Sequence, residues 1–232
     1  KKSEMELYLR AFKLEGIVEI WAKNRNDKTF QLIANYKFCE NSGSLGPKRQ
    51  QGDNQIPEGY YNISQFNPAS NFYLSLKISY PNKSDSVLGV KGNYGGQIYL
   101  HGGCATIGCV PITDTWIGEA YVLCVMAKEA GQKNIPMHIF PARLNRANME
   151  SLEKDDYPEV NKALWRDLKK GYEYFERTGQ KPEYSISLGD LARQIESFKE
   201  NGNTSIFENS NYGFNSALYS TYLSYLPSNN LQ

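Results

Sequence analysis

The chain has 232 residues, 40% hydrophobic and 22% charged, enough for one large domain, or a domain with an appendage, around a sizeable core. Its net charge of +1 gives no global field that selects nucleic acid or an acidic membrane, and no run of about 18 apolar residues is present to span a bilayer. Aromatic residues reach 13%, with 17 tyrosines, which suits polar, sugar-containing or peptide ligands. The opening Lys1-Lys2-Ser3 without an initiator Met reads as a trimmed or mature chain, from which any signal peptide would already be gone.

Residues 3–14 read as a short N-terminal helix or linker. Ile17–Ala22 and Phe30–Tyr36 are β-branched and aromatic and read as strands, joined by a polar turn over Asn24–Lys28. Residues 41–59 form a long polar loop punctuated by Gly43, Gly46, Pro47, Gly52, Pro57 and Gly59; such a loop in a compact domain is functional or disordered. Strand character returns at Tyr60–Ile63 and Phe72–Ile78, where Leu74, Leu76 and Ile78 alternate. Gln97–His101 is a further strand, with Ile98 and Leu100 on one face and Gln97, Tyr99 and His101 on the other. A helix is expected from about Asp114 to Ala130, capped by Thr113 or Asp114 and stopped by Gly131. Pro136–Phe140 closes the strand set. Beyond Pro141 the chain becomes charged and helix-like over 144–178, with Leu164, Leu168 and Phe175 on one stripe. A short strand at Tyr184–Ser187, a helix at Leu188–Glu200 and an Asn/Ser/Tyr-rich tail follow. The expected organisation is a mostly β catalytic domain over 15–141 and a helical C-terminal extension over 142–232.

The chemistry concentrates in residues 97–114, QIYLHGGCATIGCVPITD. A catalytic thiol needs a nearby base, because the thiolate is the nucleophile and a free Cys is mostly protonated at neutral pH. His101 supplies a base. Cys104 and Cys109 are competing nucleophiles that spacing alone does not separate; Cys109 is preferred because Ile107-Gly108-Cys109 comes just before a capped helix. Gly108 allows close approach to the backbone, and the Gly108 and Cys109 amides are candidate oxyanion donors. Cys124 lies on the helix stripe and reads as packed, as does Cys39 at a strand end. Two other chemistries use the same residues. Cys104 and Cys109 could pair as a disulfide, or His101, Cys104 and Cys109 could hold zinc with His138 or a carboxylate as the fourth ligand, although no paired CxxC motif exists. His138, between Met137 and Ile139, reads as a structural histidine.

The segment His101-Gly102-Gly103-Cys104-Ala105-Thr106-Ile107-Gly108-Cys109 resembles the active-site motif of the L,D-transpeptidase catalytic domain (YkuD-type), and is most similar to its YafK-like branch. Two further blocks agree: Gly46-Pro47-Lys48-Arg49-Gln50-Gln51-Gly52-Asp53 with Ile56-Pro57-Glu58-Gly59-Tyr60-Tyr61, and Phe72–Leu76 through Tyr80-Pro81-Asn82. The resemblance covers about 15–141, and Leu164–Tyr172 is similar to the branch's downstream helix. It implies a mostly β, sandwich-like α+β domain. It also implies a thioester formed when Cys109 attacks a peptidoglycan stem peptide, which an amine or water then resolves. Cys109 maps to the nucleophile, His101 to the base, and Gly102 to the member that orients His101 through its backbone carbonyl. Lys48 and Arg49 become candidates for a substrate carboxylate, with Tyr80, Tyr99 and Cys104 as further substrate contacts. No metal or cofactor is implied. The implied partners are stem peptides and a cell-wall-linked protein, and the implied location is the cell envelope, periplasmic or extracellular. The motif departs from the main family in lacking a second His before the final Gly-Cys and in carrying Val110-Pro111 after it, which bears on substrate preference. A hydrolase of the same family and a non-catalytic cell-wall-binding module are the competing readings.

Overall fold

The computed structural model describes residues 4–182. The strands are β1 (Met5–Phe12), β2 (Ile17–Asn24), β3 (Gln31–Lys37), β4 (Gly59–Ser70), β5 (Tyr73–Ile78), β6 (Tyr99–His101), β7 (Val110–Pro111) and β8 (Ile135–Phe140). The helices are α1 (Lys83–Leu88), α2 (Asp114–Glu129), α3 (Arg146–Lys154) and α4 (Glu159–Thr178). All strands join one sheet in the order β3-β2-β1-β8-β4-β5-β6-β7. The fold is α+β, as the sequence indicates, with strand and helix in near-equal shares among the described residues rather than mostly β. The strand expected at 184–187, the helix at 188–200 and the tail lie outside the described residues.

The N-terminal segment departs from expectation: residues 5–12 are strand β1, not a helix. This strand is central, antiparallel to β2 and parallel to β8. Leu7, Leu9 and Ala11 enter one core, while Tyr8 and Phe12 enter clusters on the other side. Its sequence Met5-Glu6-Leu7-Tyr8-Leu9-Arg10-Ala11 alternates with a period of two, and this strand signal prevails over the helix reading.

Helix α2 covers the first face with Ile117, Ala120, Cys124 and Ala127, all fully buried. Thr113 caps it by accepting from the Trp116 amide, and Gly131 follows its end at φ +94°. On the second face Met149 and Leu152 of α3, and Leu164, Trp165, Leu168 and Tyr172 of α4, pack against Phe12 and Phe140. The helices after Pro141 therefore share a core with the sheet. Gly171 is required there, since a Cβ at that position would stand 2.3 Å from the Tyr60 hydroxyl.

Two buried charges fix this second layer. Arg10 is fully buried; its guanidinium lies 4.6 Å from the Phe175 ring centroid and 5.0 Å from that of Tyr172, and it pairs with Glu176 at 2.7 Å. Glu58, 1% exposed, accepts from Lys13 Nζ at 2.9 Å, from the Gly46 amide at 2.8 Å and from Trp165 Nε1 at 2.7 Å. Lys13 Nζ also donates to the carbonyls of Gly46 and Ile56 at 2.7 and 3.0 Å. One carboxylate thus joins β1, both ends of the 46–58 loop and α4.

Glu58→Ala would leave the Lys13 ammonium buried without its partner, which costs about 3–5 kcal/mol. Trp165→Phe removes one hydrogen bond to a charged group and costs less, about 1.5–3 kcal/mol. Urea unfolding of both variants checks this ranking, and a Glu58→Ala protein as stable as wild type would contradict the hub.

Candidate active site

Strands β6 and β7 run parallel, with Leu100 opposite Val110 and His101 opposite Pro111. Leu100 and Val110 are fully buried and point into the core. Their neighbours His101 and Cys109 therefore point to the other side, two register steps apart on adjacent chain segments. Short strands joined by a glycine-rich loop place His101 and Cys109 on one face.

His101 Nδ1 lies 2.5 Å from the Gly102 carbonyl oxygen. A carbonyl only accepts, so Nδ1 carries the proton and Nε2 keeps its lone pair. The Phe72 ring lies over the imidazole with centroids 4.7 Å apart, and His101 is 2% exposed. Burial lowers its pKa below the ordinary value, against the opposing pull of the Gly102 hydrogen bond, so the free imidazole is neutral at neutral pH. Gly102 has no room for a side chain: a Cβ would stand 2.5 Å from Asp114 Oδ1 and 2.8 Å from the Phe72 carbonyl. Asp114 Oδ1 in turn accepts from the Gly103 amide at 2.8 Å, which ties the loop to the start of α2.

Cys109 is a free, half-buried cysteine, its Sγ 3.9 Å from the Gln97 carbonyl oxygen. Burial raises the thiol pKa; the Tyr99 backbone amide and the Lys48 charge act in the opposite direction. Gly108 adopts φ +133°, and a Cβ there would meet the Gln55 carbonyl at 2.9 Å. Its amide differs from expectation as an oxyanion donor, because it already donates to Thr106 Oγ1 at 3.1 Å. Thr106 Oγ1 donates to the Cys109 carbonyl at 2.8 Å, so this hydroxyl closes the turn before the thiol.

Cys104 is not a free thiol. It forms a disulfide with Cys39 across 65 residues, with Cα atoms 5.3 Å apart. This corrects four expectations together: Cys104 as rival nucleophile or substrate contact, Cys39 as a merely packed cysteine, a Cys104–Cys109 bridge, and a zinc site using Cys104. Cys spacing carries no pairing information, and the partner comes from the far end of the sheet. Cys124 is fully buried in the core, its thiol pKa pushed up to about 12 by burial. His138 is buried with Nδ1 2.8 Å from the Tyr8 hydroxyl, and burial, with the Arg10 and Lys181 charges, lowers its pKa to about 3. It is a structural histidine, remote in sheet order from β7.

The basic pair diverges. Lys48 Nζ donates to Asp53 Oδ1 at 2.6 Å and to the Gln50 carbonyl at 2.9 Å. A Cβ on Gly95 would stand 3.1 Å from that Nζ. Arg49 is 5% exposed and its Nη1 donates to buried Asp85 at 3.2 Å, so its fork faces α1 and an internal carboxylate rather than a free substrate. Tyr80 is similarly committed, 8% exposed with its hydroxyl donating to the Tyr94 carbonyl at 2.7 Å. Tyr99 is half-buried, donates its hydroxyl to Gln97 Oε1, and turns its backbone amide to Cys109. Phe72, Thr106, Asp53 and the Cys39 disulfide are the site features that residue-type reasoning leaves out. Gly52-Asp53 stands in a motif block and is the one with a sequence signal.

The protein is 35% identical over 185 residues to "Putative L,D-transpeptidase YafK" of Escherichia coli K12, an alignment that covers 79% of this chain and 72% of that protein. The same match is found with the O157:H7 strain. The chain belongs to the L,D-transpeptidase family. No family model matches it. Among solved structures it is similar to the helical cell shape determining protein Pgp2 from Campylobacter jejuni, with a TM-score of 0.45 and 19% identity over 60% of this chain. The chain spans about half of Pgp2, 49% of its length. It is also similar to Bd1075 of Bdellovibrio bacteriovorus, with a TM-score of 0.41 and 18% identity, covering 87% of this chain and 71% of that one. Among the described residues no helix is long and apolar enough to cross a membrane.

The disulfide gives this family member a measurable signature. Denatured without reductant, the protein titrates two thiols, and four after reduction. Cys39→Ser with Cys104→Ser removes a cross-link spanning 65 residues and lowers unfolding stability by about 2–4 kcal/mol in urea titrations. Four thiols in the oxidised protein would refute the pairing.

Proposed function

We propose that the protein is a cysteine acyl-transferase that acts on peptidoglycan stem peptides in the cell envelope, through a thioester on Cys109. The observation that carries this reading is the His101–Gly102 hydrogen bond. It fixes the tautomer with a basic Nε2, on the sheet face that also bears Cys109. Membership of the L,D-transpeptidase family supports the substrate class. The Cys39–Cys104 disulfide supports an oxidising compartment.

In the proposed mechanism His101 Nε2 takes the Cys109 proton as the sulfur attacks the amide carbon. Gly102 keeps the imidazole in the right orientation and stabilises the imidazolium that forms. The C–N bond breaks, the leaving amine takes the proton from Nε2, and a thioester remains. An incoming amine then forms a new amide and regenerates the thiol; water would give hydrolysis by the same route. Two of the three Lys48 N–H donors are taken by Asp53 and Gln50. Lys48 is 3% exposed, as enclosed as Arg49, so its ammonium acts from within the loop.

Incubation of the purified protein with sacculi, followed by mass spectrometry of the muropeptides, tests the proposal. New amine-linked products identify transpeptidation, and cleaved amides identify hydrolysis. Cys109→Ala and His101→Ala both abolish turnover. Because burial lowers the His101 pKa, the acid limb of kcat/KM lies below pH 6.5. Unchanged sacculi, with muropeptide retained on a column of the protein, would favour the binding-module reading instead.

A further inference from the structure

Asp53 is the most heavily used carboxylate near the site. Its side chain is 5% exposed. Oδ1 accepts from Lys48 Nζ at 2.6 Å and the Gln55 amide at 3.1 Å; Oδ2 accepts from the Arg49 and Gln50 amides at 2.8 and 2.9 Å. These four donors come from both arms of one loop turn. Asn54 in that turn has φ +56°, a conformation that costs energy for a non-glycine residue and persists where its surroundings impose it. The turn ends on Gln55, whose carbonyl backs onto Gly108, directly before Cys109. Its other arm carries Lys48, whose charge reaches the thiol.

We propose that Asp53 is a positioning residue for the nucleophile: it clamps the 48–55 turn so that Lys48 stabilises the Cys109 thiolate and Gln55 supports the Gly108 backbone. This rests on the reading of Cys109 as the nucleophile. Charge alone would make Asp53 oppose thiolate formation, because it neutralises Lys48. Clamping makes it favour thiolate formation, because an ammonium released from a buried pair swings into water. The two roles therefore predict opposite signs. Lys48 is the charged group whose field acts on the Cys109 thiol, and Asp53 acts on it through Lys48. Asp53 itself is held below the usual carboxylate range, since the Lys48 ammonium and the three amides outweigh its burial. It is ionised wherever the thiol titrates.

The test is the pH dependence of iodoacetamide alkylation, in which the Cys109 thiolate displaces iodide. Cys39 and Cys104 are bonded and Cys124 is fully buried, so the folded, oxidised protein reports on Cys109, with the labelled peptide checked by mass spectrometry. In Asp53→Asn the amide nitrogen cannot accept from the backbone amides it faces. The expected result is a thiol pKa raised by about one unit and alkylation at pH 7 slowed about tenfold. Lys48→Met gives a rise of the same order, and adding Asp53→Asn to it adds little. Asp53→Glu keeps the charge but displaces the carboxylate; it raises the pKa as well and serves if Asp53→Asn does not fold by circular dichroism. An unchanged or lowered thiol pKa in the folded single variants, or full additivity in the double variant, overturns the proposal. A role limited to fold stability would lower the melting temperature and leave the thiol pKa in place. Alkylation needs no peptidoglycan, so a wrong substrate class leaves this result readable, whereas labelling at another cysteine would remove its premise.

Discussion

Cys39 follows the strand at one end of the sheet and Pro111 ends the strand at the other, yet the Cys39 amide donates to the Pro111 carbonyl at 3.1 Å. The sheet must curl until its two edges meet, and the Cys39–Cys104 bond holds them there. The site depends on this closure. The loop over 102–109 hangs from β6 and β7, the two shortest strands, which have little ladder of their own to keep them in place. Closing the edge also removes unpaired strand groups that would otherwise invite other chains.

Around that seam the 46–58 loop is held at two levels. Glu58 and Lys13 pin its ends to β1 and α4 in a region shielded from water. Asp53 gathers its middle from within. A polar loop with this many buried donors and acceptors is stable only when they are matched, because an unmatched buried charge costs several kcal/mol. Outside the loop the partners are Lys13 just after β1, Asp85 of α1 and Trp165 of α4, which hold the loop against the body of the fold.

Much was legible in advance. His101, Gly102 and Cys109 stand out because a thiol, a base and glycines fall within nine residues, and the distinctive spacing carries the family resemblance. Helix α2 and the stripe of α4 are legible because each buries one face and exposes the other. Strand β1 carries a period-two alternation over residues 5–11, Met5-Glu6-Leu7-Tyr8-Leu9-Arg10-Ala11, which a helix reading of 3–14 passes over.

The sequence by itself supplied a candidate base, two candidate thiols and the polar character of the loop over 41–59, and the family resemblance added the expected role of the Gly102 carbonyl. These are local, and local chemistry is written in residue type and spacing. Only the tertiary structure decided which cysteine is free. Cys104 and Cys109 are near-equivalent along the chain, and they are separated by the arrival of Cys39 from the other end of a curled sheet. It also decided that Lys48 pairs with Asp53 while Arg49, one residue on, pairs with Asp85. Successive residues of an extended segment point opposite ways, and which way is inward depends on what the rest of the chain has packed there.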